Sequence, residues 1–133
     1  MKEIKFFKVR YLYYISLVSL LVLYLFPGSL IGFFLYGNLA QQLDIIPNPI
    51  GTSINHAIAF FYLTTLGLIT YLKEKNYSKT LFLLLSLSIL LEISHFIIPN
   101  RSFQLLDLFA NLLGTLLAIV IIFFYKRLKN GKI

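Results

Sequence analysis

The sequence contains no cysteine, and this absence excludes disulfide bonds, thiolate nucleophiles and cysteine-based zinc sites. It also lacks a glycine-rich phosphate loop, a serine-nucleophile motif and a dinucleotide-binding fingerprint. The sequence therefore does not indicate a P-loop nucleotide hydrolase, a serine hydrolase or a dinucleotide-dependent enzyme. Charged residues are scarce at 13%, against about a quarter in soluble domains, whereas hydrophobic residues reach 59%. Water cannot solvate such a chain as a monomer, and its mean hydropathy of +0.83 indicates an integral membrane protein.

Four long apolar runs occupy residues 11–30, 54–72, 80–98 and 108–125. Each is close to the roughly 20 residues that a helix needs to cross the hydrocarbon of a bilayer. With short connections the four runs use nearly all 133 residues, so we predict a single domain over residues 1–133 that folds as an all-α, four-helix membrane bundle. A cleavable signal peptide is the alternative for the first run, but no A-x-A-like site follows it, and we expect an uncleaved helix.

The net charge of +7 is distributed unevenly along the chain. Eleven of the twelve lysine and arginine residues lie before the first run, between the second and third, or after the fourth. The positive-inside rule therefore predicts that both termini are cytoplasmic, with only Arg101 on the outer side. We expect the basic ends to contact anionic membrane lipids and not nucleic acid, because a basic groove needs a water-soluble face. The nine tyrosines and thirteen phenylalanines are typical of lipid-facing and interfacial side chains.

The stretch from residue 28 to residue 51 is apolar enough in its first half to suggest a fifth span. A fifth span would export the basic loop and the basic tail together, which the positive-inside rule disfavours. We therefore predict an interfacial or re-entrant segment on the outer face after the first helix, with a helix near residues 30–43. The turn residues Pro47, Asn48, Pro49 and Gly51 close this segment, and Pro27 either ends or kinks the first helix.

Polar residues inside the apolar runs fall on shared helix faces. Glu92 and His95 are three residues apart in the third run, and Asp107 and Asn111 are four apart at the start of the fourth. His56 opens the second run, so each of these three helices carries a polar group near its outer end. Because ionisable groups in a span mark functional sites by default, we predict a polar pocket at the outer face.

Glu92 is the most deeply placed carboxylate in this reading. If the third helix ends near Ile98, a rise of about 1.5 Å per residue puts Glu92 about 9 Å inside it. A carboxylate at that depth is paired, protonated or turned toward a wet cavity, and Arg101, His95 and His56 are the cationic candidates. We expect Arg101 to pair with Glu92, while Asp107 caps the fourth helix or shares Arg101.

Taken in order, these residues resemble the pattern of VanZ-like membrane proteins, a family named for a teicoplanin-resistance accessory protein. That pattern has a glutamate, a glutamine-like position three residues later, Pro-x-Arg, and then aspartate, asparagine and glycine at spacings of four and three. Its positions are filled here by Glu92, His95, Pro99, Arg101, Asp107, Asn111 and Gly114. His56 matches the upstream histidine of the family, and the resemblance covers residues 54–118.

The sequence departs from the family pattern at several positions. Thr52 and Ser53 replace an Asp-Lys pair that usually precedes the histidine, and Phe60 replaces a tyrosine four residues after it. His95 stands where glutamine is more usual, and Ala118 stands where a second glycine is common. The first of these changes removes both charges from the outer end of the second helix.

The resemblance implies a protein of the bacterial cytoplasmic membrane that is connected with glycopeptide (teicoplanin) resistance or with surface-polymer chemistry. We expect an accessory protein whose outer pocket binds a polar or anionic ligand, such as a lipid-linked envelope precursor. The ligand-binding residues predicted for this pocket are His56, Glu92, His95, Arg101, Asp107 and Asn111. In this interpretation Arg101 contacts the anion while the histidines and Glu92 orient it.

Two alternatives stay open. An intramembrane hydrolase or transferase would use the same histidines and carboxylates as general acid and base, whereas a purely structural cluster would only hold helix ends and loop together. Two histidines and two carboxylates suffice in number for a divalent metal, but they come from three predicted helices and form no compact motif such as H-E-x-x-H. We therefore expect no metal and no other cofactor.

Overall fold

The computed structural model describes residues 2–43, 51–129 and 131. These residues form five helices and no strand: α1 (Lys2–Leu25), α2 (Leu30–Tyr36), α3 (Gly51–Thr70), α4 (Tyr77–Ser94) and α5 (Leu105–Lys129). All except α2 are long and apolar enough to cross a membrane. The predicted all-α bundle of four membrane-spanning helices is confirmed, and the chain is a multi-pass membrane protein.

The helices begin and end at residues that differ somewhat from the prediction. α1 ends at Leu25 and not at residue 30, because Pro27 follows and disfavours a helical conformation in the residue before it. α4 ends at Ser94 and not at residue 98, since a series of single turns replaces the helix ahead of Pro99. α5 continues through the basic tail to Lys129, where its lysines and arginine lie favourably in the last turn.

The chain crosses the bundle up and down, which gives it two chemically different ends. At the basic end, Arg10 of α1 pairs with Glu74 of the α3–α4 loop at 2.5 Å. Lys126 of α5 lies 4.3 Å from the ring centroid of Tyr77 at the start of α4. The predicted grouping of these basic segments on one side is therefore confirmed, while the side of the membrane that they face stays a prediction. We call the opposite end, which carries Arg101, the site end.

The bundle core is made of small residues where α3 and α5 cross and of large apolar residues around them. A side-chain carbon added to Gly114 of α5 would lie 2.1 Å from the carbonyl oxygen of Ala57 in α3, so the two backbones are in direct contact. Ala118, one turn further along α5, is fully buried. Phe60 and Leu63 of α3 fill the adjoining space and are also buried. Close backbone approach at small residues is the usual way in which helices pack in a membrane.

Most large apolar side chains on the outside of the bundle face the surroundings, as lipid solvation requires; Phe82, for example, is 73% exposed. Two tyrosines are exceptions to the predicted lipid-facing role. Tyr13 and Tyr24, on one face of α1, are 2% and 7% exposed. α1 therefore contributes aromatic rings to the interior as well as to the lipid-facing surface.

The segment after α1 folds back on itself. Ser29 caps the start of α2, where its hydroxyl accepts a hydrogen bond from the Gly32 amide at 2.9 Å, and Gly37 caps the end with a φ of 68° that favours glycine. The Ser29 amide then donates to the Leu39 carbonyl at 2.7 Å, which returns the chain to the start of the helix. The predicted helix near residues 30–43 is thus confirmed only as far as Tyr36. The predicted turn residues Pro47, Asn48 and Pro49 lie outside the described part of the chain.

Candidate functional site

Five of the six predicted site residues meet in one buried cluster at the site end. His56 lies near the start of α3, Glu92 in the last turn of α4, and Asp107 in the first turn of α5. His95 follows directly after α4, and Asn111 lies one turn after Asp107. Glu92 and Asn111 are fully buried, while Asp107 and His95 are 3% and 4% exposed. The same-face spacings seen in the sequence therefore do bring these side chains together.

Glu92 is buried by the loop that covers it and not by its depth along the helix. α4 ends at Ser94, so the predicted depth of about 9 Å below the helix end was wrong. One carboxylate oxygen, Oε1, accepts a hydrogen bond from the Gln104 amide at 3.1 Å and lies 3.3 Å from His95 Nδ1. The other oxygen, Oε2, has no hydrogen-bond partner among the described residues and lies 3.7 Å from His56 Nδ1.

Tyr24 of α1 is the centre of the hydrogen-bond network. Its hydroxyl donates to Asn111 Oδ1 and lies 2.8 Å from both that oxygen and His56 Nδ1. Its ring is stacked on His95 with a centroid distance of 5.6 Å, and its backbone carbonyl lies 3.2 Å from His95 Nε2. Because a carbonyl can only accept, His95 Nε2 carries a hydrogen. Tyr24 thus fixes the orientation of both histidines.

Asp107 is bound to α3 by a neutral donor. The Ser53 hydroxyl donates to Asp107 Oδ1 at 2.6 Å, and Asp107 Oδ2 lies 3.7 Å from His56 Nε2. Ser53 occupies part of the site where the family resemblance would place a charged pair. This hydroxyl contact joins α3 to α5.

Arg101 does not pair with Glu92, contrary to expectation. Its guanidinium donates from Nε to the Phe26 carbonyl at 3.3 Å and from Nη2 to the Leu23 carbonyl at 2.5 Å. Carbonyls at a helix C-terminus lack intrahelical partners and carry partial negative charge, so they attract a cation. Burial lowers the pKa of the Arg101 guanidinium, although the neighbouring Tyr24 and Glu92 oppose that shift. Arginine nevertheless stays protonated in proteins.

A pocket of about 160 Å³ opens beside the cluster, between α1, α2 and the start of α3. Its polar lining residues are Tyr24, Ser29, Gln42, Asn55, His56, His95 and Arg101. Leucine and isoleucine side chains form the rest of the wall, with Ala59. Neither Glu92 nor Asp107 lines the pocket, so among the residues that the structure describes its charged lining is cationic. At about 30 Å³ for each water molecule, the pocket holds a handful of waters or a compact polar group.

Several site residues were missed in the sequence. Tyr24 was counted among the lipid-facing aromatics, although Tyr13, Leu17, Leu20 and Tyr24 follow a 4-3-4 spacing that places them on one helix face. This spacing is the signal that identifies Tyr24 as an inward-facing residue. Gln104, whose backbone amide binds Glu92, has no comparable signal, because a backbone contact does not depend on the side chain.

A comparison with known families identifies the family to which the chain is similar. The model of the family described as VanZ/LLP1 matches residues 11–126, a range that includes the whole cluster and the pocket. No curated protein and no solved structure matches the chain.

Proposed function

The chain belongs to the VanZ/LLP1 family, and on this basis we propose that it is an accessory protein of the bacterial cell envelope. Its role is to bind a polar or anionic ligand, such as a lipid-linked envelope precursor, in the pocket at the site end. The observation that carries this proposal is the described part of the pocket lining, which contains Arg101 and two histidines but no carboxylate.

The donor groups in the pocket suit an anionic oxygen. Arginine has five N–H donors, and hydrogen bonds to the α1 carbonyls use two of those on Arg101. The others have no partner among the described residues, and no carboxylate lies within ion-pair distance of the guanidinium there. A phosphate that enters the pocket therefore meets a fixed positive charge and unused donors.

The apolar part of the wall suits a lipid-linked ligand. Leu20, Leu23 and Ala59 line the pocket along α1 and α3, and the outside of both helices is exposed to lipid. A ligand with a phosphate head and a hydrocarbon tail can thus place its head at Arg101 and its tail against the bundle surface. The basic residues at the opposite end favour an outward-facing site in the cytoplasmic membrane, where such precursors are used.

Binding is tested with a polyprenyl phosphate as the probe. Protein in lipid nanodiscs should retain this lipid in native mass spectrometry in preference to a zwitterionic phospholipid, and inorganic phosphate alone should compete weakly. Arg101→Gln should lower the affinity about 10- to 100-fold, the range expected for loss of a hydrogen bond to a charged group. Arg127→Gln, which removes the same charge at the basic end, is the matched control and should retain the lipid.

Two results would count against the proposal. Equal retention of the anionic and zwitterionic lipids would show that the pocket does not select for phosphate. Equal effects of Arg101→Gln and Arg127→Gln would show that only the total charge matters. The link to resistance is tested separately, by measuring teicoplanin susceptibility of sensitive cells that express the wild type or Arg101→Gln. Protection by the wild type alone is expected.

A further inference from the structure

We propose that His56, Glu92 and Asp107 form a binding site for one divalent metal ion beside the anion pocket, with His56 shared between the two. One ligand atom from each residue lies within 4.8 Å of the other two. The three residues come from α3, α4 and α5, so the fold assembles a ligand set that no short sequence motif contains. In the sequence, the origin of these residues in three helices counts against a metal, but the fold brings the three side chains together.

The first observation that points to a ligand is the unpartnered oxygen of Glu92. The side chain is fully buried, and Oε2 has no hydrogen-bond partner among the described residues. This oxygen faces the cluster, at 3.7 Å from His56 Nδ1. A buried carboxylate oxygen without a donor is costly, and a bound cation would satisfy it.

The second observation is the hydrogen-bond state of His56. The Tyr24 hydroxyl gives its only proton to Asn111, so the contact of 2.8 Å between that hydroxyl and His56 Nδ1 requires Nδ1 to be the donor. In the neutral imidazole Nε2 then presents a lone pair, and it faces Asp107 Oδ2 at 3.7 Å. That separation is too long for a direct hydrogen bond. Nε2 and Oδ2 each offer an electron pair, and a metal ion placed between them would bind both.

The dimensions suit a small transition-metal ion. An ion about 2.1 Å from both atoms spans a separation of 3.7 Å with an angle of roughly 120° at the metal, near the tetrahedral value. The ligand atoms of a tetrahedral ion are about 3.4 Å apart, whereas the three atoms here lie within 4.8 Å of one another, so binding would draw them inward. One imidazole and two carboxylates suit Zn²⁺ or Mn²⁺, and three protein ligands leave a coordination position open. Tyr24 holds the imidazole in the correct orientation, as a partner of a metal-bound histidine commonly does.

The test is a titration with Zn²⁺ alone. Protein purified through a histidine-free tag is treated with a chelator, and Zn²⁺ binding is measured by equilibrium dialysis and elemental analysis. We expect about one ion for each chain in the wild type. Asp107→Asn and Glu92→Gln preserve side-chain shape and should each weaken binding at least about tenfold. Glu74→Gln removes a carboxylate at the basic end and should bind like the wild type.

Stoichiometric binding that is unchanged in both Asp107→Asn and Glu92→Gln would overturn the proposal, as would substoichiometric binding in the wild type. If either variant fails to stay folded in detergent, X-ray absorption spectroscopy of the Zn²⁺-loaded wild type decides instead. A spectrum that shows one imidazole and oxygen ligands at the Zn²⁺ ion supports the site. A spectrum that shows two imidazoles contradicts it, because the second imidazole would have to come from His95.

The two proposals share His56, but a change at Arg101 separates them. Arg101 contributes no metal ligand, so Arg101→Gln should lose the polyprenyl phosphate but still bind Zn²⁺. Loss of both ligands in this variant would show that the metal proposal assigns the wrong residues.

Discussion

Replacement of Tyr24 by phenylalanine isolates the contribution of one hydroxyl to the site. The aromatic ring is retained, so its edge contact with Phe60 at 5.6 Å and its stacking on His95 at 5.6 Å should persist. The hydroxyl, however, is the partner of both Asn111 Oδ1 and His56 Nδ1. Tyr24→Phe removes this partner from the buried Asn111 Oδ1 and from the partly buried His56 Nδ1.

The magnitude follows from the two broken contacts. An unsatisfied buried polar atom costs about 1–3 kcal/mol, but hydrogen bonds between membrane helices average only about 0.6 kcal/mol and reach about 1.7 kcal/mol. For two contacts in a bundle we expect the free energy of unfolding to fall by about 1–3 kcal/mol in total. Ligand binding should weaken as well, because His56 loses the group that fixes its ring.

The assay is reversible unfolding in mixed micelles, followed by circular dichroism. Tyr62→Phe is the matched control, since Tyr62 is 47% exposed on the surface of the bundle and the same hydroxyl is removed. Its effect should stay within about 0.5 kcal/mol. A Tyr24→Phe variant no less stable than Tyr62→Phe would refute the central role of this hydroxyl. So would strict additivity of Tyr24→Phe with Asn111→Ala, because direct partners couple.

Three further predictions concern packing, pH and topology. Gly114→Ala should lower the free energy of unfolding by about 3 kcal/mol or more, since the added carbon meets the Ala57 backbone. A loss below about 1 kcal/mol in the same micelle assay would contradict this close contact. A hydrogen bond with Tyr14 raises the pKa of Tyr71 to about 12. The unfolded state loses this proton near pH 10, while the folded state retains it until about pH 12. The free energy of unfolding should therefore fall between about pH 10 and 12. That fall should be smaller in Tyr14→Phe, and an identical pH profile would refute the assignment. A reporter active only in the cytoplasm should work when inserted near Asn76 and when fused at the C-terminus, and an inactive loop fusion would overturn the predicted orientation.

Much of the fold follows from local properties of the sequence. Hydropathy locates the four long helices, since a bilayer requires continuous apolar runs of nearly fixed length. Spacing within one helix predicts that Glu92 shares a face with His95, and Asp107 with Asn111, because helix geometry alone determines which side chains are neighbours. All four side chains are indeed buried together.

The remaining features depend on how different helices meet, which local spacing does not specify. Opposite charge suggests that Arg101 pairs with Glu92, yet the helix end at Leu25 places free carbonyls nearer to the guanidinium. α2 ends early at Gly37, which adopts a left-handed conformation, and the returning chain then packs the Gln41 backbone against Gly32, where no side-chain carbon fits. The Arg101 contacts join segments that are distant in sequence, and helix periodicity predicts neither these contacts nor the return of the chain onto α2.

The central claim, that the pocket at the site end binds an anionic lipid headgroup, is tested most directly by cysteine labelling. The natural chain has no cysteine, so a single introduced thiol reports on one position. Ile31 lines the pocket, whereas Phe34 on the same helix does not and is 81% exposed. A membrane-impermeant maleimide added from outside should label both Ile31→Cys and Phe34→Cys, and a polyprenyl phosphate should slow the reaction of Ile31→Cys alone. Equal protection of both positions, or of neither, would contradict a ligand in this pocket.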